Sequence, residues 1–170
     1  MNQRAYGFTI VELLIVIVVI GILAAISIVA YNGVSNQAND SAVKSDLTNM
    51  AKMIEMDAID RGEYIPGGSA SGDSTQFPGL KFRPSKGAYM VGTTNNLSYC
   101  RGSDSTGRVV FRVEARSKSG QTYRYESSAG LRSLGSVTSG PTQACSGLTS
   151  TSFSYGYYLS TNTWWSWTNG

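Results

Sequence analysis

The sequence contains no histidine, which excludes Ser-His and Cys-His catalytic arrangements and every His-dependent metal site. Serines are plentiful, but neither a G-x-S-x-G nucleophile elbow nor a convincing general base accompanies them. Asp57 and Asp60 are near neighbours in sequence. They are better interpreted as part of a solvated helix face than as a catalytic pair. The sequence therefore predicts no enzyme, no cofactor and no bound metal.

Charged residues are also scarce, at 15% of the chain, and the formal net charge is only +3. Binding to nucleic acid requires clustered Lys and Arg residues, and the sequence contains no block of like charge. We therefore expect no direct nucleic-acid site and no strong attraction to acidic lipid.

Only two cysteines are present, Cys100 and Cys145. Two thiols cannot form a four-thiolate zinc site, and their wide separation excludes a C-x-x-C redox motif. In an exported domain we expect one disulfide, which the loop-entropy model values at roughly 4 kcal/mol. The alternative is two buried free thiols.

Hydrophobic residues make up 41% of the chain and are concentrated in residues 8–31. From Leu13 to Tyr31 no residue is charged, and this stretch as a helix spans roughly 29 Å, close to the hydrocarbon thickness of a bilayer. Arg4 is the only charge before Glu12, so the positive-inside tendency leaves the N-terminus in the cytoplasm. A cleaved signal peptide would have a shorter apolar core and small residues after it.

A helical pattern continues beyond the apolar stretch and ends at Gly62 and Pro66. Apolar residues recur there at steps of mostly three or four, which predicts a stripe on one helix face. The stripe consists of Val34, Ala38, Ala42, Val43, Leu47, Met50, Ile54 and Ala58. The simplest interpretation is one helix from about residue 8 to 60, apolar on all sides at first and amphipathic afterwards.

Glu12 is an acid at the start of the apolar stretch. The Leu, Ile and Val residues around it favour insertion by roughly 0.3–0.6 kcal/mol each, and together they outweigh a carboxylate cost of roughly 2.5–3.5 kcal/mol. An ionisable residue in such a segment is a functional hypothesis that requires a partner. The alternative is an incidental acid near the membrane surface.

One short string precedes the uninterrupted apolar helix: Gly7-Phe8-Thr9-Ile10-Val11-Glu12. This string resembles the processing signature of type IV prepilins and of type II secretion pseudopilins. The resemblance covers about residues 4–35 and implies that a prepilin peptidase removes a leader of residues 1–7. Cleavage would fall between Gly7 and Phe8 on the cytoplasmic side, and Phe8 would then be N-methylated.

The resemblance also implies a homo-oligomer in the form of a helical filament. In the filament Glu12 would lie beside the new α-amine of another subunit, and removing one partner of such a buried pair typically costs about 3–5 kcal/mol. Implied partners are the prepilin peptidase, an inner-membrane assembly platform and its ATPase. The precursor would be a single-pass protein of the cytoplasmic (inner) membrane, and the assembled protein a cell-surface pilus. Many family members carry a proline where this sequence has Val29, so a straighter helix is expected here.

We predict an α+β fold in which the long N-terminal helix packs against a small antiparallel β-sheet head, as in pilins. Residues 8–31 would form the transmembrane and assembly helix, 32–62 its amphipathic continuation, and 63–170 the exported head. A loop is expected from Pro66 to Pro84. Strands are expected at Ala88–Val91, Leu97–Cys100, Val109–Arg116 and Thr122–Ser127, with a hairpin turn at Ser119-Gly120 between the last two.

Residues 135–152 are expected to form a loop that carries Cys145, and an aromatic segment follows. Its rings belong to Tyr155, Tyr157, Tyr158, Trp164, Trp165 and Trp167. We expect a terminal hairpin whose rings complete a small core. The alternative is an exposed adhesive surface, since aromatic rings suit protein interfaces and sugar stacking.

The leading functional hypothesis is a structural filament subunit that supports adhesion, twitching motility or DNA uptake. A pseudopilin of type II secretion and a minor pilin are the alternatives within the family. Some pseudopilin heads use an acidic calcium loop, but Asp73 and Asp104 are isolated in this sequence. An alternative of another class is a monomeric, membrane-anchored binding protein that keeps its leader and forms no filament.

Overall fold

The computed structural model describes residues 7–66, 80, 82–92, 95–138, 140–158, 163–164 and 168. The chain divides into two compact units, Met1–Asn36 and Gln37–Gly170. The elements in chain order are helix α1 (Ile10–Arg61), a 3-10 turn (Lys86–Ala88), strands β1 (Asn96–Ser103), β2 (Val109–Arg116), β3 (Thr122–Glu126) and β4 (Gly130–Gly135), helix α2 (Pro141–Ala144), and strands β5 (Thr149–Tyr158) and β6 (Thr163–Trp164).

Helix α1 confirms the single helix predicted from the sequence, and it ends immediately before Gly62. In the first unit its apolar side chains have no packing partner: each Leu, Ile and Val from Ile10 to Val29 is at least 47% exposed. The most apolar part of α1 has a mean hydropathy of 3.3. By length and composition, this part of the helix is able to cross a membrane.

In the second unit, α1 supplies one side of the hydrophobic core. Four of its side chains are fully buried at steps of three or four residues, Val43, Leu47, Met50 and Ile54, and so is Ala51 beside Met50. The same core cluster contains side chains from three strands: Leu97, Tyr99, Phe111, Val113, Ala115 and Tyr123. The predicted stripe is therefore correct from Val43 to Ile54, whereas Val34 is 67% exposed.

The sheet is antiparallel, with the strand order β4-β3-β2-β1-β5-β6 among the described residues. Strands β2 and β3 confirm two predicted strands, and their hairpin turns where expected. Gly120 adopts a φ of 91° in this turn, a conformation that glycine permits without a Cβ penalty. The predicted α+β arrangement of a long helix and a small antiparallel sheet is confirmed.

The strand predicted over Ala88–Val91 is wrong. Ala88 belongs to the 3-10 turn, Tyr89 makes an isolated bridge to Ser117, and residues 90 and 91 belong to no strand. The reason is a buried acid on α1, because the Asp46 carboxylate accepts hydrogen bonds from the Ser85 N–H (2.6 Å) and the Tyr89 hydroxyl (2.9 Å). These bonds hold the segment against the helix instead of within the sheet.

The loop predicted over residues 135–152 is only partly correct. Helix α2 forms within it, and β5 already begins at Thr149. Strand β4, which precedes it, was not predicted because its glycines and serine lack the residue types that favour strands. The loop predicted from Pro66 to Pro84 falls largely outside the described residues.

The face of the sheet opposite α1 carries paired charges. Arg112 lies opposite Glu126 in register and forms an ion pair with it, and Arg124 lies opposite Glu114, with Nη2 and Oε2 2.7 Å apart. Burial raises the pKa of Glu114, and the hydrogen bond and charge of Arg124 oppose that rise. Each of these two acids thus has an arginine partner on the neighbouring strand.

The two arginines also fasten helix α2 and the segment that follows it. Arg112 Nη1 donates to the Ser146 carbonyl oxygen at 2.6 Å, and Arg124 Nη2 donates to the Gln143 carbonyl oxygen. The predicted disulfide is present between Cys100 on β1 and Cys145, with the Cα atoms 5.5 Å apart. One covalent bond and two charged side chains therefore hold this segment on the sheet.

Replacing both Cys100 and Cys145 with Ser should lower the free energy of unfolding by about 2–4 kcal/mol, because the disulfide restricts the unfolded chain across a separation of 45 residues. Chemical denaturation of the full-length protein in detergent measures this change. Ser136→Ala, on an exposed side chain of the same region, is the control. An unchanged unfolding midpoint in the double variant would contradict the expectation.

The turn between β1 and β2 should open at acid pH. Asp104 Oδ1 accepts from the Thr106 hydroxyl (2.6 Å), the Thr106 N–H (2.9 Å) and the Arg108 N–H (3.0 Å). These bonds, the Thr106 hydroxyl foremost, lower the pKa of Asp104 from 3.8 to about 2. Because the folded-state pKa is depressed, the stabilisation is present above pH 3.8 and is lost as the pH falls through about 2.

The amide NMR shifts of Thr106 and Arg108 should therefore titrate with a midpoint near pH 2. In Asp104→Asn, which cannot ionise, that titration should disappear. Its persistence in the variant would assign the transition to another group.

Candidate functional site at the start of helix α1

The first turn of α1 is closed by two side chains that hydrogen-bond to each other's backbone. Glu12 Oε2 accepts from the Thr9 N–H at 3.0 Å, and the Glu12 N–H donates to Thr9 Oγ1 at 3.2 Å. The Thr9 hydroxyl also donates to Glu12 Oε2 at 2.8 Å. This is a capping box, in which residues three apart satisfy backbone N–H groups that a helix start leaves unpaired.

The cap fixes the position of the Glu12 charge. The carboxylate lies in the first turn, where the helix dipole favours a negative charge. A carboxylate offers about four acceptor positions, and the two bonds from Thr9 use only some of them. Glu12 can therefore accept further hydrogen bonds from a cation without losing its cap.

The residues before the cap are accessible. Gly7 and Phe8 precede α1, and Phe8 is 83% exposed. Residues 1–6 of the predicted leader lie outside the described residues. The structure thus leaves the predicted cleavage bond, between Gly7 and Phe8, open to approach.

Apolar side chains surround the cap on every side of the helix. Ile10 is 81% exposed and Leu13 is 59% exposed, and exposure of this kind continues along the apolar stretch. A surface of this size and composition needs lipid or other helices to cover it. In either environment the Glu12 carboxylate would be surrounded by apolar groups. A charged carboxylate in such surroundings is costly in free energy unless it has a cationic partner.

The role of Thr9 was missed in the sequence analysis, although the signal is visible there. The spacing of Thr9 and Glu12 is that of the T-x-x-E capping box, and an apolar run follows it. The family signature points to Glu12 through its charge, whereas the role of Thr9 follows from the capping-box spacing.

The aromatic segment contributes to packing at the two positions whose side chains are described. Tyr157 is 2% exposed, and Trp164 lies edge-on to Tyr89 with ring centroids 5.4 Å apart. Lys86 Nζ lies 5.4 Å from the Trp164 ring centroid, within cation–π range. The predicted terminal hairpin is confirmed by the pairing of β5 with β6.

The remaining four rings of the candidate adhesive surface lie outside the described side chains: Tyr155, Tyr158, Trp165 and Trp167. Tyr157 does not belong to an exposed face, because its ring is buried and its hydroxyl accepts from the Gly92 N–H at 2.9 Å. An adhesive role for the other rings stays a prediction.

Comparison with known proteins agrees with this site. A family model described as the prokaryotic N-terminal methylation motif matches residues 2–28, a range that contains Gly7, Phe8, Thr9 and Glu12. The type IV wide pilus major component PilA4 of Thermus thermophilus is 34% identical over 109 residues, which cover 64% of this chain and 80% of that protein. The chain belongs to the type IV pilin family.

Other relatives of this pilin match over shorter lengths. The type IV major fimbrial protein FimA of Dichelobacter nodosus is 40% identical over 74 residues, 42% of this chain and 47% of the relative. The type II secretion system core protein G of Klebsiella pneumoniae is 34% identical over 62 residues, 36% of this chain and 44% of the relative. No solved structure is significantly similar to the pilin.

Thr9→Ala should loosen the first turn of α1, because an N-cap of this type contributes about 0.5–2 kcal/mol. Hydrogen exchange of the Ile10 to Leu13 amides in detergent should become faster, while the amides of the core residues Leu47 and Met50 stay protected. Thr9→Ser retains the hydroxyl and should exchange like the wild type. Equal exchange in both variants would mean that the hydroxyl does not cap the helix.

Proposed function

We propose that this pilin is the structural subunit of a type IV pilus filament. The observation that carries the proposal is the capped Glu12 carboxylate at the start of an exposed apolar helix, inside the matched methylation motif. The similarity to PilA4 over most of that protein's length supports a filament subunit. Catalysis plays no part in the proposed function.

The precursor would be held in the cytoplasmic (inner) membrane by the apolar part of α1. A prepilin peptidase would cut between Gly7 and Phe8 and methylate the new N-terminal Phe8. Support comes from the exposure of Phe8 and from the position of the cleavage bond just outside the helix. An assembly platform and its ATPase would then extract the processed subunit from the membrane.

Assembly would replace lipid with the helices of neighbouring subunits. The exposed Leu, Ile and Val side chains of α1 would pack against their counterparts, and Glu12 would meet the α-amine of Phe8 from another copy. The spare acceptor positions of Glu12 suit that amine. In a dry helix bundle the pair satisfies both charges, and the loss of either partner typically costs about 3–5 kcal/mol.

A type II secretion pseudopilus is the second candidate, favoured by the similarity to core protein G. Both filaments would use the same helix and the same Glu12. Long filaments on the surface of the wild-type cell would favour the pilus. So would a Glu12→Ala variant that loses these filaments together with adhesion, twitching motility or DNA uptake. A secretion defect without long filaments would favour the pseudopilus.

Glu12→Ala should abolish filament assembly while leaving membrane insertion intact, because the neighbouring amine would then be buried without a partner. Filaments sheared from the cell surface and subunits in the membrane fraction are quantified by immunoblot. Lys52→Ala, which removes an exposed charge from the same helix outside the apolar stretch, is the control and should assemble normally. Normal filaments in Glu12→Ala would refute the role of the carboxylate.

Mass spectrometry of the sheared wild-type material tests processing in the same preparation. The expected N-terminus is N-methylated Phe8. Recovery of dispersed subunits that still carry residues 1–7 would instead identify a monomeric, membrane-anchored protein.

A further inference from the structure

A groove of about 490 Å³ lies at the C-terminal end of α1, wholly within the Gln37–Gly170 unit. Its apolar wall includes Ile59, Tyr64 and Val109. Ile59 is 81% exposed, and Met56, one turn earlier on the helix, is 60% exposed. Large apolar side chains with this exposure, gathered beside a cavity, mark an interaction surface.

Acidic residues frame this groove. Glu55 and Glu63 line it, and Asp57 and Asp60 belong to the same two turns of α1. Arg101 also lines the groove and forms an ion pair with Glu63 (2.9 Å), and Arg61 forms one with Asp57 (2.7 Å). The four acids and these two bases together leave the surface with a formal charge of −2. The negative end of the helix dipole adds to this charge. We name this surface, with Met56 and Ile59, the acidic end of the head.

Basic residues gather at the other end of the head. The Ser85 N–H donates to Asp46 on α1 at 2.6 Å, which places Arg83 and Lys86 beside that part of the helix. The Lys118 N–H donates to the Ala88 carbonyl oxygen at 2.9 Å, which brings a third base into the same region. We name this surface, formed by Arg83, Lys86 and Lys118, the basic end.

The two ends are separated along one rigid element. Asp46 and Ile59 are about 20 Å apart along α1 at the rise of an α-helix. Arg83 and Lys118 are exposed, and so is the nearby apolar side chain of Val91, at 40%. The basic end therefore offers positive charge to the acids of the groove and an apolar side chain to its apolar wall.

We propose that the acidic end of one subunit receives the basic end of a second copy of this chain. Opposite charges steer the two surfaces together and fix their register, and the contact covers Met56 and Ile59. Because the two surfaces differ, the contact is heterologous, and its repetition gives an open helical assembly instead of a closed dimer. The inference rests on the proposed function, since a filament supplies the repeating copy.

Charge reversal tests the contact in cells that express the full-length protein. Asp60→Lys with Glu63→Lys should reduce sheared filaments at least about tenfold, because it places like charges across the contact. Arg83→Glu with Lys118→Glu should do the same from the other side. The four substitutions combined in one chain should restore most of the wild-type amount, since each subunit then presents the two ends with exchanged signs.

Two further variants keep the test independent of folding. Ile59→Gln removes the apolar contact without changing the charge, and it should reduce filaments without lowering the unfolding midpoint, because the side chain it replaces is 81% exposed. Lys52→Glu reverses an exposed charge on α1 outside both ends and should assemble normally.

The outcomes separate this inference from the proposed function. Wild-type cells without filaments would overturn both. Wild-type filaments together with normal filaments in either charge-reversed pair would overturn this inference alone, as would a four-fold variant that fails to recover. Filaments of normal amount but altered surface attachment in Ile59→Gln would assign the groove to an external partner and overturn the contact between copies.

Discussion

One carboxylate at the start of an otherwise uncharged apolar stretch is the constraint on which the function proposed for this pilin depends. Thr9 supplies two hydrogen bonds to Glu12 and receives one in return, so the acid has a fixed position before any partner arrives. The cap cannot neutralise the charge, because a hydroxyl and an amide are themselves neutral. An environment without water therefore favours an arrangement that brings a cation to Glu12. The apolar side chains around Glu12 require burial, and Glu12 restricts that burial to environments that also supply a cation.

The head obeys a second constraint, because its sheet must cover α1 with one face and hold the Cys145 segment with the other. Alternation along β2 provides both faces: Phe111 and Val113 enter the core, and Arg112 and Glu114 point to the opposite side. The raised pKa of Glu114 shows that burial outweighs the favourable effect of Arg124. The Arg124–Glu114 pair is therefore better understood as a device that positions α2, through the bond from Arg124 to the Gln143 carbonyl oxygen, than as a major source of stability.

Much of this architecture is predictable from local patterns. Helix α1 follows from apolar spacing and from Gly62, and β2 and β3 follow from alternation around a glycine turn. The strand predicted near Tyr89 failed because Asp46, about forty residues earlier, captures the segment, and no local pattern reports such a bond. Strand β4 could not be predicted from its residue types, because its pairing with β3 is what makes it a strand. At the site, the family signature singles out Glu12 and Phe8 as candidate functional residues. The role of Thr9 follows only from the T-x-x-E spacing of a capping box.

The strand order has a consequence for how the head folds after export. Strand β1 lies between β2 and β5, and Ser98 pairs with Glu114 on one side and with Tyr155 on the other. Because β5 follows β2 in the sequence, β5 leaves the membrane later than β2. Until then, the edge of β1 that pairs with β5 stays unpaired. An unpaired edge is a template for aggregation, and distant pairing is slow. A chain that stalls or is clipped before β5 would leave this edge uncovered in the middle of the sheet, where its unpaired N–H and C=O groups are open to another chain.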